Sequence, residues 1–118
     1  MTFISPSEPE IFDQEVWRIV AKIPPGKVTT YGKIAELVTP QLREEPRRML
    51  AMGARWVGGS MARCPEGYPW HRVVNAKGEI SLRAGAFLQR ELLEAEGIRF
   101  LQSGNIDMGK YSWLINSE

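Results

Sequence analysis

The 118-residue sequence predicts a mainly α fold: a winged helix-turn-helix domain with a short β-hairpin wing. Three observations lead there. Apolar residues recur at helical spacing in four segments. A short helix and an Arg-rich helix follow each other across a polar connection. Behind them, a Val-Val run meets a turn at Asn75-Ala76-Lys77-Gly78.

At the start, "SEPE" over Ser7–Glu10 has the form of a capping box, with Pro9 in the first turn. Ile11, Phe12, Val16, Ile19, Val20 and Ile23 then repeat at helical spacing, so a first helix runs from about Pro9 to Lys22 and buries that stripe. Pro24-Pro25-Gly26 stops it. Thr29 or Thr30 caps a short helix with Ile34, Ala35, Leu37 and Val38 inward, and Pro40 lies just past its end. "QLREEPRR" reads as a polar loop. From about Pro46 to Arg63 the pattern is helical again, with Met49, Leu50, Val57 and Met61 apolar and Arg47, Arg48, Arg55 and Arg63 as cations. Gly53, Gly58 and Gly59 weaken this helix by roughly 1 kcal/mol each relative to Ala where exposed. Glycines kept at that cost admit close approach of another backbone. "HRVVNAKGEIS" reads as the hairpin wing, with Val73-Val74 going out and Ile80 returning. A last helix spans about Ala84–Glu96, with Phe87, Leu88, Leu92 and Ala95 on one face and Gly97 as its C′ residue. The tail "IRFLQSGNIDMGKYSWLI" is turn-rich with some strand character.

Length and composition fit a single domain over residues 1–118 with one small core. One Cys excludes an internal disulfide and a multi-Cys zinc site. No apolar run approaches the ~20 residues of a membrane span, and the start lacks the features of a signal peptide. The expected setting is the cytoplasm or nucleoid of a bacterium, or a eukaryotic nucleus. Net charge is +1, but Arg47 to Arg90 hold eight cations against Glu66 and Glu79, a net of +6, which leaves −5 for the rest. Seven of the eight are Arg, the residue suited to planar contacts with phosphates and bases. A basic middle between acidic ends is either a nucleic-acid footprint or a solvated charged face.

Four stretches carry a resemblance. "VWRIVAKIPPGKVTTYGKIA", "ARWVGGSMA", "PWHRVVNAKGEIS" and "LLEAEGI" are similar, in this order, to the DNA-binding C-terminal domain of the O6-alkylguanine-DNA alkyltransferases, over about residues 12–98. That family's signature is Pro-Cys-His-Arg-Val, whose Cys accepts the alkyl group. Here the position holds Trp70, which looks like the alkyltransferase-like proteins, a sister group that binds O6-alkylguanine without repairing it. Two departures are visible: "TPQLREEPRRML" is longer than the usual connection, and "RCPEGY" differs in length.

The resemblance implies a role for each matching residue. Trp70 has only an N–H donor and cannot replace a thiolate, but its flat apolar face suits an extruded base; the bland reading is a core Trp. Cys64 lies outside the signature with no base beside it in sequence, and reads as a bystander thiol. His71 and Glu96 match the relay that polarises the family's Cys and are read here, with Arg72, as structural support. Tyr31 matches a Tyr that presses on the phosphate 3′ to the target and helps rotate the nucleotide; otherwise it is a half-buried Tyr. Arg55 matches the finger that fills the gap left by the flipped base; otherwise it is a surface Arg. Gly58 and Gly59 let its helix approach DNA. Arg83 matches an Arg that caps the bound alkylguanine, and as an exposed wing residue it would touch phosphate instead. Ser81 and Val74 line the pocket, while Lys33, Arg47 and Arg48 are phosphate-contact candidates. The expected partners are duplex DNA containing O6-alkylguanine and nucleotide excision repair proteins, for a monomer with no metal, cofactor, membrane or catalytic residue. Two alternatives stay open: a winged-helix regulator indifferent to alkylation, and an alkyltransferase using Cys64.

Overall fold

The computed structural model describes residues 5–38, 42, 44–80 and 86–114. Their contacts divide into two units: residues up to Lys22 with Tyr31–Trp70, and Ile23–Thr30 with His71 onward.

The first unit holds three helices: α1 (Pro9–Val20), α2 (Tyr31–Val38) and α3 (Pro46–Ala62). Each boundary lies within a few residues of its sequence prediction. Along α1, Phe12, Val16, Ile19 and Val20 are buried as the apolar stripe requires, whereas Ile11 faces out. The capping box does not form. The N-cap is Glu8, and it makes no side-chain cap bond. The Ser7 hydroxyl instead accepts from Arg48 Nη1 at 2.8 Å, and its backbone N–H donates to the Glu44 carboxylate. Tertiary partners outbid the local motif. At α3 the cap is Glu45, whose carboxylate accepts from Arg48 N at 3.1 Å ahead of Pro46 in the first turn.

The three helices pack on one another. Gly53 sets the approach of α2 to α3: a Cβ there would lie 2.9 Å from Ala35 Cβ, closer than real Cβ atoms come. Trp56 is buried and meets Phe12 edge-on, with ring centroids 5.9 Å apart. Leu50, counted with the apolar residues of this helix, is instead 90% exposed.

In the second unit, β1 (Thr29–Thr30) pairs in parallel with β2 (Val73–Val74), in register Thr29 to Val73 and Thr30 to Val74. The predicted hairpin is corrected here. The reversal forms, because Asn75 Oδ1 accepts from the N–H groups of Lys77 and Glu79, both at 2.9 Å. The ladder partner of Val73-Val74, however, is a distant parallel strand and not the return at Ile80. Both valines are buried, as a strand covered on two faces requires. Val28 continues this edge: its N–H donates to Tyr111 O and its carbonyl accepts from Trp113 N. The core here is Val28, Val74, Leu93, Ile98, Ile106 and Tyr111.

The last long helix, α4 (Ala86–Ala95), ends as predicted. Gly97 is at φ +91°, with Ile98 N bonding Leu93 O and Gly97 N bonding Glu94 O, the paired bonds of a Schellman stop. Its buried face is not the predicted one. Phe87 is 88% exposed and Leu88 also faces out, while Gln89 and Leu93 are buried. The Gln89 amide donates to His71 O and Val73 O, both at 3.1 Å, so its polar end is satisfied inside. A count of apolar letters cannot find such a residue. In the tail, the single turn α5 (Met108–Tyr111) is capped by Asp107.

Candidate nucleic-acid interface

On α3 one face is buried through Met49, Gly53, Trp56, Val57 and Ser60. The opposite face is nearly bare. Ala51, Ala54, Arg55 and Ala62 are exposed on it, and Gly58 is half-exposed. Two long cations, Arg47 and Arg55, rise from a surface otherwise made largely of small residues, with Leu50 at its edge. Inside the protein Gly58 has no reason to be glycine, since a Cβ there would meet nothing within 4 Å. Gly58→Ala should therefore stabilise the fold by about 1 kcal/mol, read as a higher denaturation midpoint. A loss of stability would mean that the helix needs glycine for its own packing.

The phosphate-contact candidates separate. Arg47 is exposed, and so is Lys33, whose Nζ lies 3.3 Å from Glu36. Arg48 is held within the protein: it bonds Ser5 O and Ser7 Oγ, pairs with Glu44 at 3.1 Å, and stacks over Trp56 at 5.2 Å. A phosphate would have to displace these partners, so the geometry favours a clasp on the segment before α1. Tyr31 is the first residue of α2 and half-buried.

Trp70 opens a single 3-10 turn, Trp70–Arg72, and is partly exposed. The residues that follow it are anchored on Glu96. His71 Nε2 lies 2.7 Å from Glu96 Oε2. Arg72 reaches the same carboxylate with Nε and with Nη2, the latter at 2.6 Å, and donates from Nη1 to Ile23 O. Gly26 N donates to Glu96 Oε1 at 2.9 Å. Burial alone would raise this carboxyl, but the bonds from Arg72, His71 and Gly26 lower it to about 2. Glu96 is thus a fixed anion that ties the His71–Arg72 segment and Gly26 to the end of α4.

Val74 is buried in β2. Ser81 and Arg83 lie outside the described residues. Cys64 is half-buried, and burial raises its thiol above the ordinary value, so less thiolate forms at neutral pH. Among the described residues no cluster of His, Cys, Asp or Glu could hold a metal ion, and no helix is long and apolar enough to cross a membrane. The sequence reading missed Asp13, which is buried on α1 and bonded to Ser60 and Arg63. Its one signal was a carboxylate set beside Phe12 and Val16 in the buried stripe.

Comparison with known proteins agrees with this architecture. Residues 11–98 match the family model for the DNA-binding domain of 6-O-methylguanine DNA methyltransferase. A DNA base-flipping protein of Escherichia coli is 50% identical, with 86% of this chain and 74% of that protein covered. Alkyltransferase-like protein 1 of Schizosaccharomyces pombe is 37% identical, over 86% of this chain and 94% of its own. The crystal structure of S. pombe Atl1 in complex with damaged DNA containing O6-carboxymethylguanine superposes with a TM-score of 0.72 at 35% identity, covering 90% of this chain and 97% of that one. The chain belongs to the alkyltransferase-like, base-flipping branch of the 6-O-methylguanine DNA methyltransferase DNA-binding family.

Proposed function

We propose that this protein binds O6-alkylguanine in duplex DNA by minor-groove docking of α2 and α3, extrudes the modified nucleotide, transfers no alkyl group, and marks the site for nucleotide excision repair. The observation that carries this reading is the exposed face of α3, where Arg55 rises among Ala51, Ala54, Gly58 and Ala62, with Arg47 two turns earlier. A flat helix face can lie deep against a groove. The planar guanidinium of Arg55 can enter the stack and bond the orphaned cytosine. So bare a face has few side chains with which to read base edges, which counts against a sequence-specific regulator. A relative whose structure contains O6-carboxymethylguanine DNA supports the choice of lesion.

Tyr31, at the N-terminus of α2, presses on the phosphate beside the target, and Trp70 provides the apolar wall for the extruded base. Arg83, with Ser81, completes the lesion contacts, while Val74, buried in the core, supports the site from within; Arg47 and Lys33 add phosphate contacts. Flipping costs a few kcal/mol and less for a base that pairs badly. An O6-alkyl group disrupts pairing to cytosine, so the lesion lowers that cost. Burying the alkyl group adds about 0.8 kcal/mol per CH₂. Without a transfer step, the complex acts by persisting, with bent DNA and a new protein surface for excision repair proteins. Gly58→Ala, stabilising for the free protein, should weaken binding to both lesion and plain DNA by holding the backbone away from the groove.

The deciding experiment is a titration at one fixed salt concentration, because affinity for DNA depends steeply on salt. Two short duplexes differ only by one O6-methylguanine, and the intact mass of the bound protein is recorded. Tighter binding to the lesion with unchanged mass is expected. A mass gain of one methyl group would make the protein an alkyltransferase through Cys64. Equal affinity without an adduct would reduce it to a general DNA-binding domain.

A further inference from the structure

Arg55, Gly59 and Arg63 occupy positions i, i+4 and i+8 along α3 and its C-cap, so they lie in one row. All three line a single cavity of about 450 Å³, whose other wall includes Glu10 and Asp13 of α1. Gly59 is a gap in this row: a Cβ built there would sit 3.5 Å from Arg63 Nη1. Arg63 does not swing freely, although its side chain is 57% exposed. Asp13 grips it in a fork, Nε to Oδ2 and Nη2 to Oδ1, both 2.9 Å. Asp13 is itself fixed by the Ser60 hydroxyl, and Ser60 is fully buried, with its carbonyl accepting from Trp17 Nε1 at 2.9 Å. Among the described residues Arg63 Nη1 donates to nothing. Burial pushes Asp13 up, but the bonds from Arg63 and Ser60 more than offset it and keep the carboxyl ionised.

We propose that Arg63, oriented by Asp13, is a second DNA contact of this interface, taking a backbone phosphate on its free Nη1 edge across the gap at Gly59. The proposal rests on the reading of α3 as the DNA-facing helix. Eight residues of helix span about 12 Å, whereas the minor groove is about 6 Å wide. With Arg55 in the groove, Arg63 therefore lies over the flanking sugar-phosphate backbone. A guanidinium presented in a fixed plane loses little freedom on meeting a phosphate. The carboxylates of Glu10 and Asp13 on the α1 wall keep the anion on the α3 side. Arg63 is the contacting group and Asp13 the positioning residue.

The test measures affinity of wild type, Arg63→Gln and Asp13→Asn for the lesion and plain duplexes from 50 to 200 mM salt, well below each protein's melting temperature. Loss of one phosphate contact should reduce the salt slope by about 0.9. For Arg63→Gln we expect that reduction, with both duplexes weakened by the same factor, on the order of fivefold at low salt, because a phosphate carries no lesion information. Asp13→Asn separates orientation from charge. It adds a unit of net positive charge, so a purely electrostatic Arg63 would bind DNA more tightly. A positioned Arg63 binds more weakly, because its fork is broken. An unchanged slope for Arg63→Gln would overturn the contact, and tighter binding by Asp13→Asn would overturn the positioning role. Absence of lesion preference in wild type would defeat the proposed function instead, and the slope on plain DNA would still decide Arg63. Should Arg63→Gln fail to fold, Arg63→Lys replaces it. Lys keeps the charge and the slope but not the fork, so weaker binding at every salt is expected, and wild-type affinity would overturn the proposal.

Discussion

Glu96→Gln is expected to destabilise the protein by about 3–5 kcal/mol, the range for breaking a buried ion pair from one side. Glu96 and Arg72 side chains are each only 14% exposed. Gln keeps the shape of the side chain but not its charge, and it brings an N–H₂ to a site surrounded by donors: Arg72, His71 and Gly26 N. Arg72 would remain buried and charged, still donating from Nη1 to Ile23 O. The loss should appear as a lower urea midpoint and a fall in Tm. The pH dependence provides an independent check. The folded carboxyl titrates at about 2, below its ordinary 4.5. Its contribution is therefore complete above pH 4.5 and is lost as pH falls toward 2. The full shift corresponds to about 3 kcal/mol. In Glu96→Gln the stability curve between these pH values should flatten. An unchanged acid limb would mean that other carboxylates dominate acid unfolding and that the Glu96 hub is weaker than its geometry implies.

Trp70→Ala is expected to have the largest effect on recognition. Stacking of a base on an aromatic face contributes about 1–3 kcal/mol, so affinity for lesion DNA should fall about 5- to 150-fold. Plain duplex DNA, whose bases remain stacked, should lose far less. The comparison variant is Arg55→Ala. If Arg55 enters the duplex, its loss weakens lesion binding more than plain binding, and the fluorescence of a 2-aminopurine placed at the target position, which rises on extrusion, should drop at saturating protein. Equal losses on both duplexes for Trp70→Ala would remove the stacking wall from the mechanism. Equal losses for Arg55→Ala would make it one more phosphate contact.

Several elements could be read without coordinates, and for a common reason: their determinants are local. The apolar spacing from Phe12 to Val20 suffices for α1, and Gly97 for the stop of α4. Arg55 is singled out by its place in "ARWVGGSMA", and its exposure beside Ala51, Ala54 and Gly58 comes with the packing of α3. What local pattern could not reach were choices between distant partners. Val73-Val74 is as good a hairpin strand as a parallel one until Thr29-Thr30 arrives from far earlier in the chain. Ser7 is a sound cap until Arg48 claims its hydroxyl. The face of α4 turned on Gln89, a polar residue buried because two carbonyls of the His71–Val73 segment meet its amide. Arg48 and Arg63 looked alike as cations. One is now clasped by Ser5, Ser7 and Glu44, while the other is held by Asp13 with an edge left open. Helix and turn propensities act over a few residues, so sequence order encodes them directly. Burial of a polar side chain depends on which partner reaches it across space, and that is settled only when the chain packs.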